Sequence, residues 1–249
     1  MSIDLNRART DCAGGPVRTA AAIKERPASS QSGRPAIRTP EYLQVKETFK
    51  TSYGAHQIWY STWIKRMSGC GPTAASNLLW YLCASRPEWC GALFDDDGTT
   101  QAGMLKLMET VWRYVTPGMR GVNRASMLAD GSVRYGREHG TSLKADTLEI
   151  PEAASGRPDQ RTVYEFLAGA FTRNLPVAFL NLSNGAVRNL DNWHWVTLIS
   201  VDESLQAEMY DQGRRQMIDV ALWLKTTTGG GAFVTIEPNY NGRRMELCR

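Results

Sequence analysis

The sequence has no run of about 18 apolar residues, the length a helix needs to cross a bilayer, so no membrane span is expected. Residues 1–30 hold no apolar h-region, which argues against a secretory signal. There is no Cys-x-x-Cys pair, and only three histidines accompany the five cysteines Cys12, Cys70, Cys83, Cys90 and Cys248. Zinc-ligand spacing is therefore missing, and neither a metal nor another cofactor is expected. An odd thiol count without an export signal fits a reducing compartment. The expected location is the cytoplasm, with secretion by a non-standard route left open. A basic body is missing as well. Residues 1–40 carry seven Lys/Arg against three Asp/Glu, an excess that equals the +4 of the whole chain. The remainder is neutral, so nothing gathers nucleic acid and no nucleic-acid partner is expected.

What is present is an ordinary globular mixture, 42% hydrophobic and 22% charged over 249 residues. A chain of this size buries a core without disulfides or a structural metal. Residues 1–40 are rich in Arg, Ala, Ser and Pro and poor in large apolar side chains. Burial there does not repay ordering, so they read as a basic, disordered tail that includes the pair Gly14-Gly15. The folded domain is expected over residues 41–249, starting near Tyr42. Phe49, Tyr53, Trp59, Tyr60 and Trp63 follow at once, as core or groove wall.

Periodicity predicts helices over 72–85, 100–115 and 160–173. Pro72 opens the first, Thr100 caps the second and Asp159 caps the third. Short strands fit 132–136 and 145–150. Strands also fit 177–182, 194–201, 206–211 and 232–237, with a helix over 217–227 and turns at Gly213 and Gly229-Gly230-Gly231. Helices come first and strands later, an α+β order rather than a doubly wound sheet.

The strongest local feature is Ser68-Gly69-Cys70-Gly71-Pro72-Thr73-Ala74-Ala75. Gly69 and Gly71 permit a tight turn and clear space for the backbone of another molecule. A helix start directly after Cys70 favours thiolate and offers N–H groups to an oxyanion. A buried structural thiol is the plain alternative. A thiol nucleophile needs a base, and His194 begins an apolar strand in Asn192-Trp193-His194-Trp195-Val196. Trp193 and Trp195 alternate around it and are expected to flank the cleft. His56 and His139 sit in less ordered contexts, His139 as a solvated loop residue. A hairpin between 195–201 and 206–211 would return Asp211 to His194 as its orienter, with Asp202 and Asp219 as rivals. Asp95-Asp96-Asp97-Gly98 reads as a solvated turn.

Gly69-Cys70-Gly71-Pro72-Thr73-Ala74-Ala75, followed far downstream by His194-Trp195-Val196, resembles the papain-like cysteine peptidases of the bacteriocin-leader-processing, double-glycine type. The resemblance implies a single α+β domain, with an N-terminal central helix packed on a twisted antiparallel sheet. It implies a Cys70–His194–Asp211 triad that hydrolyses peptide bonds through an acyl-enzyme, with a peptide or protein substrate. Acyl transfer on the same scaffold and an inactive binding module are the alternatives. The family's Asp-Pro is Asp211-Gln212 here. Its glutamine six residues before the cysteine is Ile64 here, which leaves Gln57 as the upstream candidate for the oxyanion.

Overall fold

In a computed structural model, residues 33–240 are described. Cys12, Gly14-Gly15 and Cys248 lie outside them. The helices are α1 (Trp63–Ser68), α2 (Cys70–Ser85), α3 (Pro87–Cys90), α4 (Gln101–Val111), α5 (Ala125–Glu138), α6 (Gln160–Thr172) and α7 (Val220–Thr226). The strands are β1 (Gln44–Lys46), β2 (Thr51–Tyr53), β3 (Leu143–Ile150), β4 (Val177–Asn181), β5 (His194–Val201), β6 (Gln206–Asp211), β7 (Arg214–Asp219) and β8 (Gly231–Pro238). The architecture is mixed helix and antiparallel sheet within one compact unit. No helix among the described residues is long and apolar enough to cross a membrane.

The main sheet runs β3-β8-β4-β5-β6-β7, with antiparallel pairing throughout. The last strand of the described residues, β8, thus inserts between β3 and β4, one place in from the sheet edge. That placement explains its nearly continuous burial. Phe179 and Phe233 stack across the β4–β8 ladder at 4.8 Å, and Trp223 of α7 meets Phe179 edge-on. Helix α2 packs on β4, β5 and β8, α5 lies on β3 and β8, and α6 packs on β5. Every residue of α2 from Gly71 to Cys83 is buried, as a helix enclosed on all sides must be.

Two helix caps form as their chemistry dictates. Thr100 accepts from Gly103 N, and Asp159 accepts from Thr162 N.

Four regions depart from the sequence reading. Residues 132–136 belong to α5 and are not a strand. Glycines hid that helix, and they are required by close packing. A Cβ at Gly131 would sit 2.6 Å from Tyr114 O, and one at Gly136 would sit 2.5 Å from Leu143. Residues 214–219 are strand β7, so only the second part of 217–227 is helical. Phe49 and Trp63 are exposed rather than core. Finally, the chain joins the sheet before Tyr42. Val201 N donates to Pro35 O and Ile37 N donates to Ile199 O, at 3.0 and 2.9 Å. Ile37 is buried, in the space beside β5 beyond the start of β4.

Candidate active site

The site begins where α1 gives way to α2. Thr62 caps α1, Gly69 ends it, and α2 starts at Cys70. The two flanking glycines are buried, and this chain itself fills the space they leave. A Cβ on Gly69 would meet Tyr60 at 2.5 Å, and one on Gly71 would meet Val122 at 2.6 Å. They are therefore packing positions against Tyr60 and Val122, and the space they clear is taken by this chain rather than by the backbone of another molecule. Cys70 remains half-buried, whereas Cys83 and Cys90 are buried. Burial pushes the Cys83 thiol up, with a smaller opposing effect from its hydrogen bond to Phe94 O.

His194 is the first residue of β5, and Asp211 is the last of β6. The ladder pairs Thr197 with Tyr210. Continuing that register sets Asp211 opposite Val196, on the same sheet face as His194 two residues further on. His194 Nε2 lies 2.6 Å from Asp211 Oδ1. The remaining ring nitrogen, Nδ1, is left for the Cys70 thiol, which lines the same small cavity as this imidazole. Burial alone would hold the imidazolium back. The hydrogen bond to Asp211, and then the neighbouring Cys70, outweigh it and raise the His194 pKa to about 10.

Backbone strain frames the pair. Trp193, just before His194, has φ of 56°, and Gln212, just after Asp211, has φ of 48°. Left-handed non-glycine residues are held only where the surroundings fix them. Here Gln212 Nε2 donates to Asp191 Oδ2 at 3.1 Å, and Asn181 Nδ2 donates to Asp191 O at 2.6 Å. The rival aspartates have other tasks. Asp202 accepts from Ser204 N and Gln206 N, and Asp219 caps α7 through Leu222 N.

Gln57 returns to Cys70 because residues 58–69 loop out and include α1. It lines the same small cavity as Cys70, Asn77, His194 and Asp211. Its Nε2 donates to Arg66 O at 2.9 Å, and that leaves one amide hydrogen uncommitted. Ile64, at the spacing where the glutamine was sought, is 66% exposed on α1.

On its other side Cys70 opens to a cavity of about 630 Å³ lined chiefly by Met67, Met119, Val122, Leu180, Leu182 and Trp193. Trp193 is half exposed there. Trp195 is instead buried, and its Nε1 donates to Val122 O at 2.5 Å. The two tryptophans therefore divide: Trp193 is groove wall, while Trp195 anchors the loop that forms the far wall. In that loop Gly118 and Gly121 exchange backbone hydrogen bonds, and Met119 stands fully exposed at the tip.

Sequence reasoning missed Asn77. It lies two helical turns after Cys70, so it shares that face of α2. Its Oδ1 accepts from Ala55 N at 2.8 Å, and its Nδ2 donates to Thr197 Oγ1 at 3.0 Å. It ties the segment that carries Gln57 to the strand that carries His194. A polar residue at that spacing, inside an apolar helix, was the available signal. His56 lies beside the 211–213 turn. Its pKa is lowered by burial and then by Lys50. His139 is stacked on Tyr135 at 4.0 Å, with Nδ1 2.8 Å from Tyr135 O, and is not a solvated loop residue.

No family model and no curated protein matches this chain. Among solved structures it is similar to a double glycine motif protease from an AMS/PCAT transporter, crystallised in complex with the leader peptide. That match is 13% identical, covers 84% of this chain and 96% of the other, and has a TM-score of 0.38. It is also similar to the Pseudomonas avirulence protein AvrPphB, at 11% identity over 69% of this chain and 92% of the other, with a TM-score of 0.33.

Proposed function

We propose that this protein is a cysteine hydrolase that cleaves amide bonds in peptides, with Cys70 as nucleophile, His194 as acid and base, and Asp211 as orienter. One observation carries the reading. A half-buried thiol at the start of a long helix shares one small cavity with a buried imidazole, whose Nε2 is 2.6 Å from a carboxylate. A base fixed by a third group is the arrangement thiol catalysis needs.

In the forward step Cys70 gives its proton to His194, and the thiolate attacks the substrate carbonyl carbon. The C–S bond forms while the carbonyl π electrons move to oxygen. The Cys70 N–H and the uncommitted Gln57 amide hydrogen hold that oxyanion. The imidazolium then protonates the leaving nitrogen as the C–N bond breaks. Water enters, gives a proton to His194 and adds to the thioester. The C–S bond breaks, the carboxylic acid leaves, and the thiolate–imidazolium pair returns. The apolar cavity beside Cys70 receives substrate side chains, with Trp193 along its rim.

The test is alkylation of Cys70 with iodoacetamide across pH, read by intact mass and peptide mapping. Cys70 is expected to react selectively, faster than Cys83 or Cys90 across the range. His194→Ala is expected to abolish that selectivity. Equal reactivity of Cys70 with Cys83 or Cys90, or indifference to His194, would overturn the assignment.

A further inference from the structure

A second groove lies away from the thiol, along the free edge of the main sheet. It measures about 1190 Å³ and is bounded by β3 on one side and α5 on the other. Among the described residues β3 is the outermost strand, and only β8 pairs with it. Asn239 N donates to Ser142 O, which fixes the phase of the ladder. With Leu143 opposite Pro238, hydrogen-bonded pairs fall on Lys144, Asp146, Leu148 and Ile150. Alternation then turns the N–H and C=O of Ala145, Thr147 and Glu149 away from the sheet. Those same three residues line the groove.

The groove is also basic. Arg124, Arg134, Arg137 and Lys144 face it, against Asp130 and Glu149. Lys144 is paired with Glu237, and Arg134 donates to Tyr114 O. Arg124 and Arg137 are exposed, and neither guanidinium has a hydrogen-bond or ion-pair partner among the described residues.

We propose that this edge is a docking site for an extended, acidic peptide segment of a partner protein, which adds a strand beside β3 and sets its carboxylates against Arg124 and Arg137. Backbone pairing supplies the affinity and the two arginines select the charge. Charge also disfavours the competing occupants. Residues 1–40 of this chain carry an excess of four positive charges, the wrong sign for a basic groove. A second copy paired edge to edge would bring two basic grooves together.

The experiment uses Cys70→Ala protein, so that cleavage at the thiol does not interfere. The probe is a fluorescein-labelled octapeptide of alternating valine and glutamate, followed by anisotropy at low and high salt. Saturable binding is expected for this probe and not for the valine–lysine counterpart. N-methylation of alternate probe residues should weaken binding about tenfold or more, because it removes the edge bonds. Thr147→Pro should do the same, since its N–H faces outward and β8 loses nothing. Arg124→Glu with Arg137→Glu should also lose binding, with the melting temperature of each variant checked beside it. Equal binding of the N-methylated probe, or no saturable binding at all, overturns the proposal. So does a dimer in solution that Thr147→Pro dissolves, because the edge then belongs to a second copy. Alkylation of Cys70 is independent of all these outcomes.

Discussion

His194 and Asp211 meet from the ends of neighbouring strands, Nε2 to Oδ1 at 2.6 Å, with both side chains buried. Low exposure means little water competes for the contact, so the carboxylate acts on the imidazole at close to full strength. The contact fixes which ring nitrogen is left for Cys70, and it raises the pKa against the opposing pull of burial. Position and tautomer of the imidazole thus depend on one carboxylate, which is also the main support of its proton affinity.

Asp211→Asn tests that dependence. The proposed reaction needs an imidazolium to protonate the leaving amine, so activity should extend toward pH 10 before its alkaline limb falls. Without the carboxylate that limb should move to lower pH, and kcat/KM should drop by about 10²-fold or more. The pH profile of peptide hydrolysis reads both. A loss of rate with an unmoved limb would make Asp211 a mere packing residue.

The same pair ties folding stability to pH. The folded-state His194 pKa is raised from 6.5 to about 10. Below about pH 6.5 both folded and unfolded chains bind this proton, and the stabilisation is fully present. Between 6.5 and 10 the folded state binds more protons, so stability falls as pH rises. Urea denaturation of wild type and His194→Gln at several pH values isolates the contribution by difference. The difference should be constant below 6.5 and shrink through that window. A difference that grows with pH would mean the imidazole is held neutral.

Asn77→Ala should destabilise the fold and loosen the site together. It removes the acceptor for Ala55 N–H and the donor to Thr197, both in buried surroundings. Each group left unpaired costs about 1–3 kcal/mol. The urea midpoint reads the stability loss. Single-turnover acylation should slow as well, because Ala55 is two residues from Gln57. Unchanged acylation in a destabilised protein would confine Asn77 to the core.

What the sequence made legible follows from how each element is stabilised. Helices α2, α4 and α6 carry their own periodicity or caps, and β4, β5 and β6 carry apolar runs, so their residues reveal them. Helix α5 is built on Gly131 and Gly136, whose value lies in contacts with Tyr114 and Leu143 far along the chain. No local pattern encodes that. Strand β7 reads Arg-Arg-Gln-Met-Ile-Asp, an edge strand too polar to stand out. At the site, Cys70, His194 and Asp211 are distinctive residue types in distinctive settings. The groove is different: Met67, Met119, Leu180 and Leu182 come from separate segments, and only tertiary packing makes them one wall.

Trp193 joins backbone strain to the groove, and Trp193→Gly separates the two. Its φ of 56° disfavours a bulky side chain, whereas glycine adopts it freely. Relief of that strain offsets the glycine's greater loss of chain entropy, so stability should change by no more than about 1 kcal/mol. The indole is 52% exposed along the rim of the cavity beside Cys70, so its loss removes cavity wall rather than core. KM for a peptide bearing an apolar side chain next to the cleaved bond should rise, by about tenfold, while kcat changes little. Alkylation of Cys70 should be unaffected, because the indole makes no contact with His194 that sets its proton. A fall in kcat with KM unchanged would instead mean that the left-handed turn at Trp193 holds His194 in place, and that glycine there lets the base drift.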